Sequence, residues 1–346
     1  MLKNRWTVIC VGLAASAVFV YLAMRGLDLS AVKRAFADAQ LLPWLPIGIA
    51  SYLVSHVVRG IRCKILVRRH TRLGLLTATN IVVVGYGANN VLPARLGEFV
   101  RAGMLAERAK MPIAQSLGVT FIERVLDGLA MLLFLVIASL TVSVAGWMRE
   151  LVYVALVVFG LATIVMAVGA LWPKLIISLT SKLTSPLGIN WQSRFVKLAT
   201  HVTDAGACLR DPVDALLLVL LSLVVWAFEA GIYVAILPIF GIPMTVQYAV
   251  ITMCVTGFGL LLPSSPGGIG PYHYFASQAM MVHGIAAPTA LAYATLVHLS
   301  WFIPITIWGA IVMLWYGVKL SAVTKLADDT RRGEELPAVT AMPPAA

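Results

Sequence analysis

The chain has 346 residues, 60% of them hydrophobic and only 12% charged, with a formal net charge of +11. This composition excludes an ordinary soluble domain and points to a polytopic membrane protein. The basic residues sit in short segments beside apolar runs, the pattern that sets membrane topology and attracts anionic headgroups, so nucleic acid is not the expected partner.

The apolar run over 6–24 follows Lys3 and Arg5, is long enough to span a bilayer, and has no small-x-small cleavage site after it. It reads as an uncleaved first helix. The mixed segment 25–40 places Leu29, Val32, Ala35 and Phe36 on one helical face and reads as an interfacial helix. A second span over 42–58 is expected to end in a basic loop holding Arg59, Arg62, Lys64, Arg68, Arg69 and Arg72. The apolar run 73–92 is followed by Arg95, Arg101, Arg108 and Lys110, and a full crossing would strand that second basic cluster outside. A re-entrant hairpin keeps both clusters on the cytoplasmic side, entering over 74–92 and returning over 96–106 with Pro93 and Gly97 at its tip.

A third span over 113–145 carries Glu123, Arg124 and Asp127, and a fourth covers 151–171. The stretch 173–211 is polar and basic. A fifth span over 212–237 contains Glu229. A second re-entrant hairpin is expected over 248–282, broken by L-P-S-S-P-G-G-I-G-P at 262–271, and a final helix over 289–316 carries His298. The tail 328–346 lacks apolar periodicity and reads as disordered. This topology gathers most of the 26 Lys and Arg residues on the cytoplasmic side, together with both termini. The expected fold is an all-α polytopic helical membrane protein with about six spanning helices and two re-entrant helical hairpins related as an inverted repeat. It forms one domain over 1–327, with halves at about 1–145 and 146–327. The repeat rests on Leu92-Pro93-x-x-x-Gly97 and Leu262-Pro263-x-x-x-Gly267, each followed by a long helix with a titratable residue, Glu123 or His298.

Ionisable residues at membrane depth cost several kcal/mol and mark functional sites. In the first half these are Arg95, Glu98, Arg101, Glu123, Arg124 and Asp127, with Asn90, Pro93 and Gly97 breaking the helix among them. Arg95 and Arg101 are candidates to clamp a lipid phosphate, or else to anchor the hairpin at the interface. Glu123 is a candidate to line a lipid path. Arg124 can pair with Asp127 three residues on, or lock helix to hairpin through Glu98. In the second half, Ser264, Ser265, Pro266, Gly267, Gly268 and Gly270 form a tight, glycine-rich tip, and His273 and His298 are candidates to titrate or hydrogen-bond. Glu229 needs a partner, for which His298 or His273 is the expectation. The cysteines Cys10, Cys63, Cys208 and Cys254 have no metal or redox spacing, and no phosphate loop, serine-hydrolase elbow or zinc motif is present. No metal, cofactor or catalytic residue is expected.

Three motifs taken together resemble the lysylphosphatidylglycerol synthase transmembrane-region family, also called flippase-like. They are N-x-x-L-P-A-R-x-G-E-x-x-R ending at Arg101, E-R-x-x-D at Glu123, Arg124 and Asp127, and S-P-G-G-x-G over 265–270. The resemblance covers about residues 5–320. It implies a multi-pass protein of the bacterial inner membrane with two re-entrant segments. It also implies a stand-alone member without a soluble synthase domain, whose substrate is an anionic or aminoacylated phospholipid or a polyprenyl-linked lipid. The chain departs from the family pattern at His273, where a Glu is common. The reading that follows is a lipid translocator. The alternatives are a membrane-embedded enzyme or subunit of polyprenyl, hopanoid or glycolipid synthesis, and a non-transporting scaffold for such a complex. A lipid-synthesis enzyme is a possible partner, and the oligomeric state is left open.

Overall fold

A computed structural model describes residues 2–92, 96–140, 146–260 and 265–317, with side chains from residue 10 onward except 11, 12 and 187. The sequence readings at Pro93, Arg95 and Ser264, and of the tail, lie outside these residues. Among the described residues the fold is entirely helical: α1 (Leu2–Met24), α2 (Leu29–Ala37), α3 (Trp44–Val67), α4 (Leu75–Val91), α5 (Gly97–Ala109), α6 (Ile113–Ser139) and α7 (Gly146–Leu171), then α8 (Pro173–Thr184), α9 (Ile189–Ala205), α10 (Pro212–Ile236), α11 (Val246–Gly259), α12 (Pro271–Val282) and α13 (Ala287–Trp315).

By length and apolar composition α3, α7, α10 with its short extension, and α13 can each cross a membrane alone. The end of α1 and α2 form a further candidate bent by 81°. The bend falls at Gly26, whose positive φ of 75° suits a residue without a Cβ, and Asp28 caps the new helix by accepting from the Ser30 N–H. α6 is as long as these spans but carries three ionic groups, of which Glu123 and Asp127 are buried and Arg124 is partly exposed.

The two broken segments form helical hairpins. α4 packs on α5, and α11 packs on α12. The following long helix covers each second arm, α6 on α5 and α13 on α12. The first arms pack across: α4 lies against α13, and α11 against α6. The same contacts therefore recur in the two halves with the partners exchanged, which is the arrangement that the paired L-P-x-x-x-G segments call for. Gly97 lets the first hairpin close. A Cβ there would fall 2.3 Å from the Gly85 carbonyl oxygen and 2.5 Å from the Asn89 nitrogen.

One expectation is corrected. The second span does not end near residue 58. α3 continues to Val67 because Ile61, Cys63, Ile65, Leu66 and Val67 keep the apolar pattern going, and Cys63, Leu66 and Val67 are buried. Arg59 and Arg62 are therefore buried helix residues, and of the expected loop only Arg68, Arg69 and Arg72 lie beyond the helix. The polar, basic stretch 173–211, for which no element was expected, forms the two helices α8 and α9 followed by a 3-10 turn at Gly206–Arg210.

Candidate functional site

Four helices converge on a chain of ion pairs. α3 packs along α10, and both meet α6, which also carries α5 on its flank. Residues three or four apart share a helical face. Arg59 and Arg62 thus point from α3 toward the carboxylates that α6 presents at Glu123 and Asp127.

The pairs form one connected network. Arg101 of α5 pairs with Glu123, whose other oxygen lies 3.9 Å from Arg62 Nε. Arg62 Nη1 lies 2.6 Å from Asp127 Oδ1 and also donates to Ser222 Oγ at 2.9 Å. Asp127 Oδ2 receives Arg59 Nη1 at 2.9 Å, and Arg59 Nη2 reaches Glu229 Oε1 at 2.8 Å. Trp226 Nε1 donates to Asp127 Oδ1, and Ser55 Oγ to Glu229 Oε1. At the other edge Arg124 lies 3.3 Å from Glu98 and 3.6 Å from Asp127, and donates to Tyr86 Oη at 3.0 Å. The Tyr86 ring faces the guanidinium groups of both Arg59 and Arg124, at 5.1 and 5.0 Å.

Arg59, Arg62, Arg101 and Arg124 are matched by Glu98, Glu123, Asp127 and Glu229. Burying ions is least costly when their charges are paired, and the equal numbers of guanidinium and carboxylate groups meet that condition in this apolar bundle. The burial is graded. The side chains of Arg62, Arg101 and Glu123 are at most 2% exposed, whereas Arg124 is 35% and Glu98 21% exposed. The network therefore has a closed interior and one open edge, at the first hairpin.

Of the expected site residues, Glu98, Arg101, Glu123, Arg124, Asp127 and Glu229 are brought together. The pairing of Arg124 with Glu98 and Asp127 matches the sequence expectation in its geometry. Arg101 is not an interfacial anchor but a buried partner of Glu123. Glu229 does not meet either histidine; Arg59 and Ser55 hold it, because α10 lies along α3. Sequence reading missed Arg59 and Arg62 as site residues. Their signal was the Arg-x-x-Arg spacing inside an uninterrupted apolar pattern.

A second group assembles at the second break. His298 Nε2 lies 3.0 Å from the Gly267 carbonyl oxygen, and His298 Nδ1 lies 3.4 Å from His273 Nε2. His298 of α13 thus bonds to the second hairpin. Asn90, at the end of α4, donates from Nδ2 to Thr306 Oγ1 at 2.8 Å and to the Phe302 carbonyl. Phe302 also packs where a Gly267 Cβ would sit, and the Asn90 carbonyl oxygen lies 3.5 Å from that point. The two breaks therefore approach each other across α13. Ser265 donates its backbone N–H to Ser16 Oγ on α1 at 2.8 Å, and Gly270, with φ of 99°, passes so close to Ser16 that a Cβ would lie 2.5 Å from its carbonyl oxygen. Pro266 and Gly268 form the short 3-10 turn between these points.

An apolar crevice of about 330 Å³ lies between α3, α6, α10 and α11, lined by residues including Trp44, Ile47, Phe134, Ala230 and Val250. Among the described residues, no group of three or more His, Cys, Asp or Glu side chains is placed to hold a metal ion.

The chain is similar to the UPF0104 membrane protein MJ1078 of Methanocaldococcus jannaschii, at 25% identity over 228 residues that cover 65% of this chain and 92% of that protein. No solved structure matches it. The model of the lysylphosphatidylglycerol synthase TM region matches residues 9–309, which take in every helix of the network and both hairpins. The chain belongs to the lysylphosphatidylglycerol synthase transmembrane-region family of membrane proteins.

Proposed function

We propose that the protein is a lipid translocator whose open Arg124–Glu98 pair receives a polar headgroup. The observation that carries this reading is the graded network, with matched charges inside and one partly exposed ion pair beside the first helix break. Moving a headgroup through a bilayer is slow because its charges lose water. An ion pair that opens can exchange partners with a zwitterionic headgroup: Arg124 takes the phosphate, Glu98 takes the amine, and the net charge of the site is unchanged. Arginine suits the phosphate because its planar fork can donate two parallel hydrogen bonds. The apolar crevice between α3, α6, α10 and α11 is a place for an acyl chain. The helix ends that flank the two breaks lie close together, with Asn90 and Gly267 both against Phe302. In this reading the basic ends of α3 and α5 face the cytoplasm of a bacterial cell, in the inner membrane.

The test is leaflet exchange in liposomes containing purified protein, with labelled lipids that share their acyl chains but differ in headgroup. Aminoacylated or other zwitterionic phospholipids are expected to exchange faster than diacylglycerol-like neutral lipids move above their protein-free rate. No protein-dependent exchange of any lipid, from folded protein, argues against translocation and for a synthetic or scaffold role.

A further inference from the structure

We infer that the α8–α9 hairpin is an anionic-lipid contact that lies on the surface of the bilayer holding the protein. α7 is an apolar span that ends at Leu171, and α8 begins two residues later at Pro173, so the hairpin starts at the membrane boundary. Its root is fixed: Arg210 Nε donates to the Ala170 carbonyl at 2.8 Å, and α9 approaches α6 so closely at Ala205 that a Cβ on Gly118 would lie 2.7 Å from the alanine methyl. Its two arms are tied together by Gln192, which donates to the Ser181 carbonyl and to Ser181 Oγ.

What the hairpin does not do is bury its apolar residues. Leu175, Leu179 and Leu183 recur every four residues on α8, and Trp191, Phe195 and Leu198 recur at four and three on α9. Each set lies on one helical face, and all six are exposed, Leu183 by 77%. The basic residues Lys174, Lys182, Arg194 and Lys197 are spread along the same two helices, and within 173–205 the single acidic residue is Asp204. The Arg194 guanidinium lies 5.4 Å from the Trp191 ring, where a cation beside an interfacial indole can reach a phosphate. An exposed apolar stripe on each helix, together with an excess of Lys and Arg over acidic residues, is the physical signature of helices lying in the interface of an anionic membrane. The charge pattern together with the attachment at the end of a span selects that occupant over a protein surface. The inference is independent of whether the protein moves lipids.

The experiment is amide hydrogen exchange on the full chain in nanodiscs of phosphatidylcholine alone and of phosphatidylcholine mixed with phosphatidylglycerol. Each basic residue near an anionic surface contributes roughly a five-fold change in affinity, so the amides of α8 and α9 should exchange at least about tenfold more slowly in the mixed bilayer. Replacing the four basic residues (Lys174→Glu, Lys182→Glu, Arg194→Glu, Lys197→Glu) should remove that difference while leaving exchange in α3 and α10 unchanged. Equal exchange in the two bilayers overturns the proposal, as does protection that survives the charge reversal, and either result gives the face to a protein partner.

Discussion

Arg59 and Asp127 stand 68 positions apart in the chain and meet at 2.9 Å, with side chains 2% and 4% exposed. Asp127 is the hub of the network, since Arg59, Arg62, Arg124 and Trp226 all reach its two oxygens. Replacing it with Asn leaves three guanidinium groups sharing one fewer negative charge. Breaking a buried pair by removing one partner costs about 3–5 kcal/mol. Asp127→Asn is therefore expected to lower the thermal unfolding midpoint in detergent markedly, or to prevent recovery of folded protein. Arg124→Gln, at the solvent-accessible edge, should lower it much less. Equal midpoints for Asp127→Asn and the wild type would mean that the network is not a structural core.

The approach of the first hairpin's arms gives a second prediction. Gly97→Ala puts a methyl group against the backbone of Gly85 and Asn89 as well as the Asn89 side-chain oxygen, and the two backbone contacts have no way to move aside. The expected cost is about 1–3 kcal/mol. Gly160→Ala is the control, because its Cβ would meet nothing within 4 Å on α7. It should be neutral or slightly stabilising, as Ala is the better helix former. Thermal unfolding of the two variants side by side checks the contrast.

At the second break, His298→Leu leaves the Gly267 carbonyl without its side-chain donor and takes away the partner of His273. An unpaired buried polar group costs about 1–3 kcal/mol. The 265–270 segment should open more readily, seen as faster amide exchange there than in α3. His298→Gln, which keeps an N–H donor, should recover part of the protection. Unchanged exchange in His298→Leu would show that the bond does not hold the break.

Membrane sidedness can be read by thiol labelling of single-cysteine variants in right-side-out vesicles. Cys10 is exposed and is replaced first, while Cys63, Cys208 and Cys254 are buried. Cysteines at Arg69 and Lys110 should label from the same side as each other, and a cysteine at Arg25 from the opposite side, if α4 and α5 form a re-entrant hairpin. Labelling of Arg69→Cys and Lys110→Cys from opposite sides would require the first hairpin to be a full crossing.

Much of the fold was legible because apolar period and helix breakers are local signals. The hairpin arms at α4 and α5, and at α11 and α12, fall close to where proline, glycine and apolar run length place them. Glu98 with Arg124 was legible too, because opposite charges at one depth have few other partners. Arg59 and Arg62 were not, since a basic residue near the expected end of a span looks the same whether it snorkels to water or turns inward. The partner on α6 or α10 decides between these outcomes, and that is a tertiary fact. Glu229 was mispaired for the same reason: its partner depends on α10 lying along α3, which no local pattern states. The α8–α9 hairpin was hidden by its polar average, although its four-residue apolar recurrence was in the sequence.

The central claim is that a headgroup enters by replacing the Arg124–Glu98 pair. Its most direct test is leaflet exchange of a labelled zwitterionic phospholipid in liposomes by wild-type protein beside Arg124→Gln and Glu98→Gln, each shown to be folded. The account predicts protein-dependent exchange in the wild type and at least a tenfold loss in both variants, since each removes one charge-assisted bond worth about 1.5–3 kcal/mol. Exchange at the wild-type rate in both variants would contradict it and place the lipid path elsewhere in the protein.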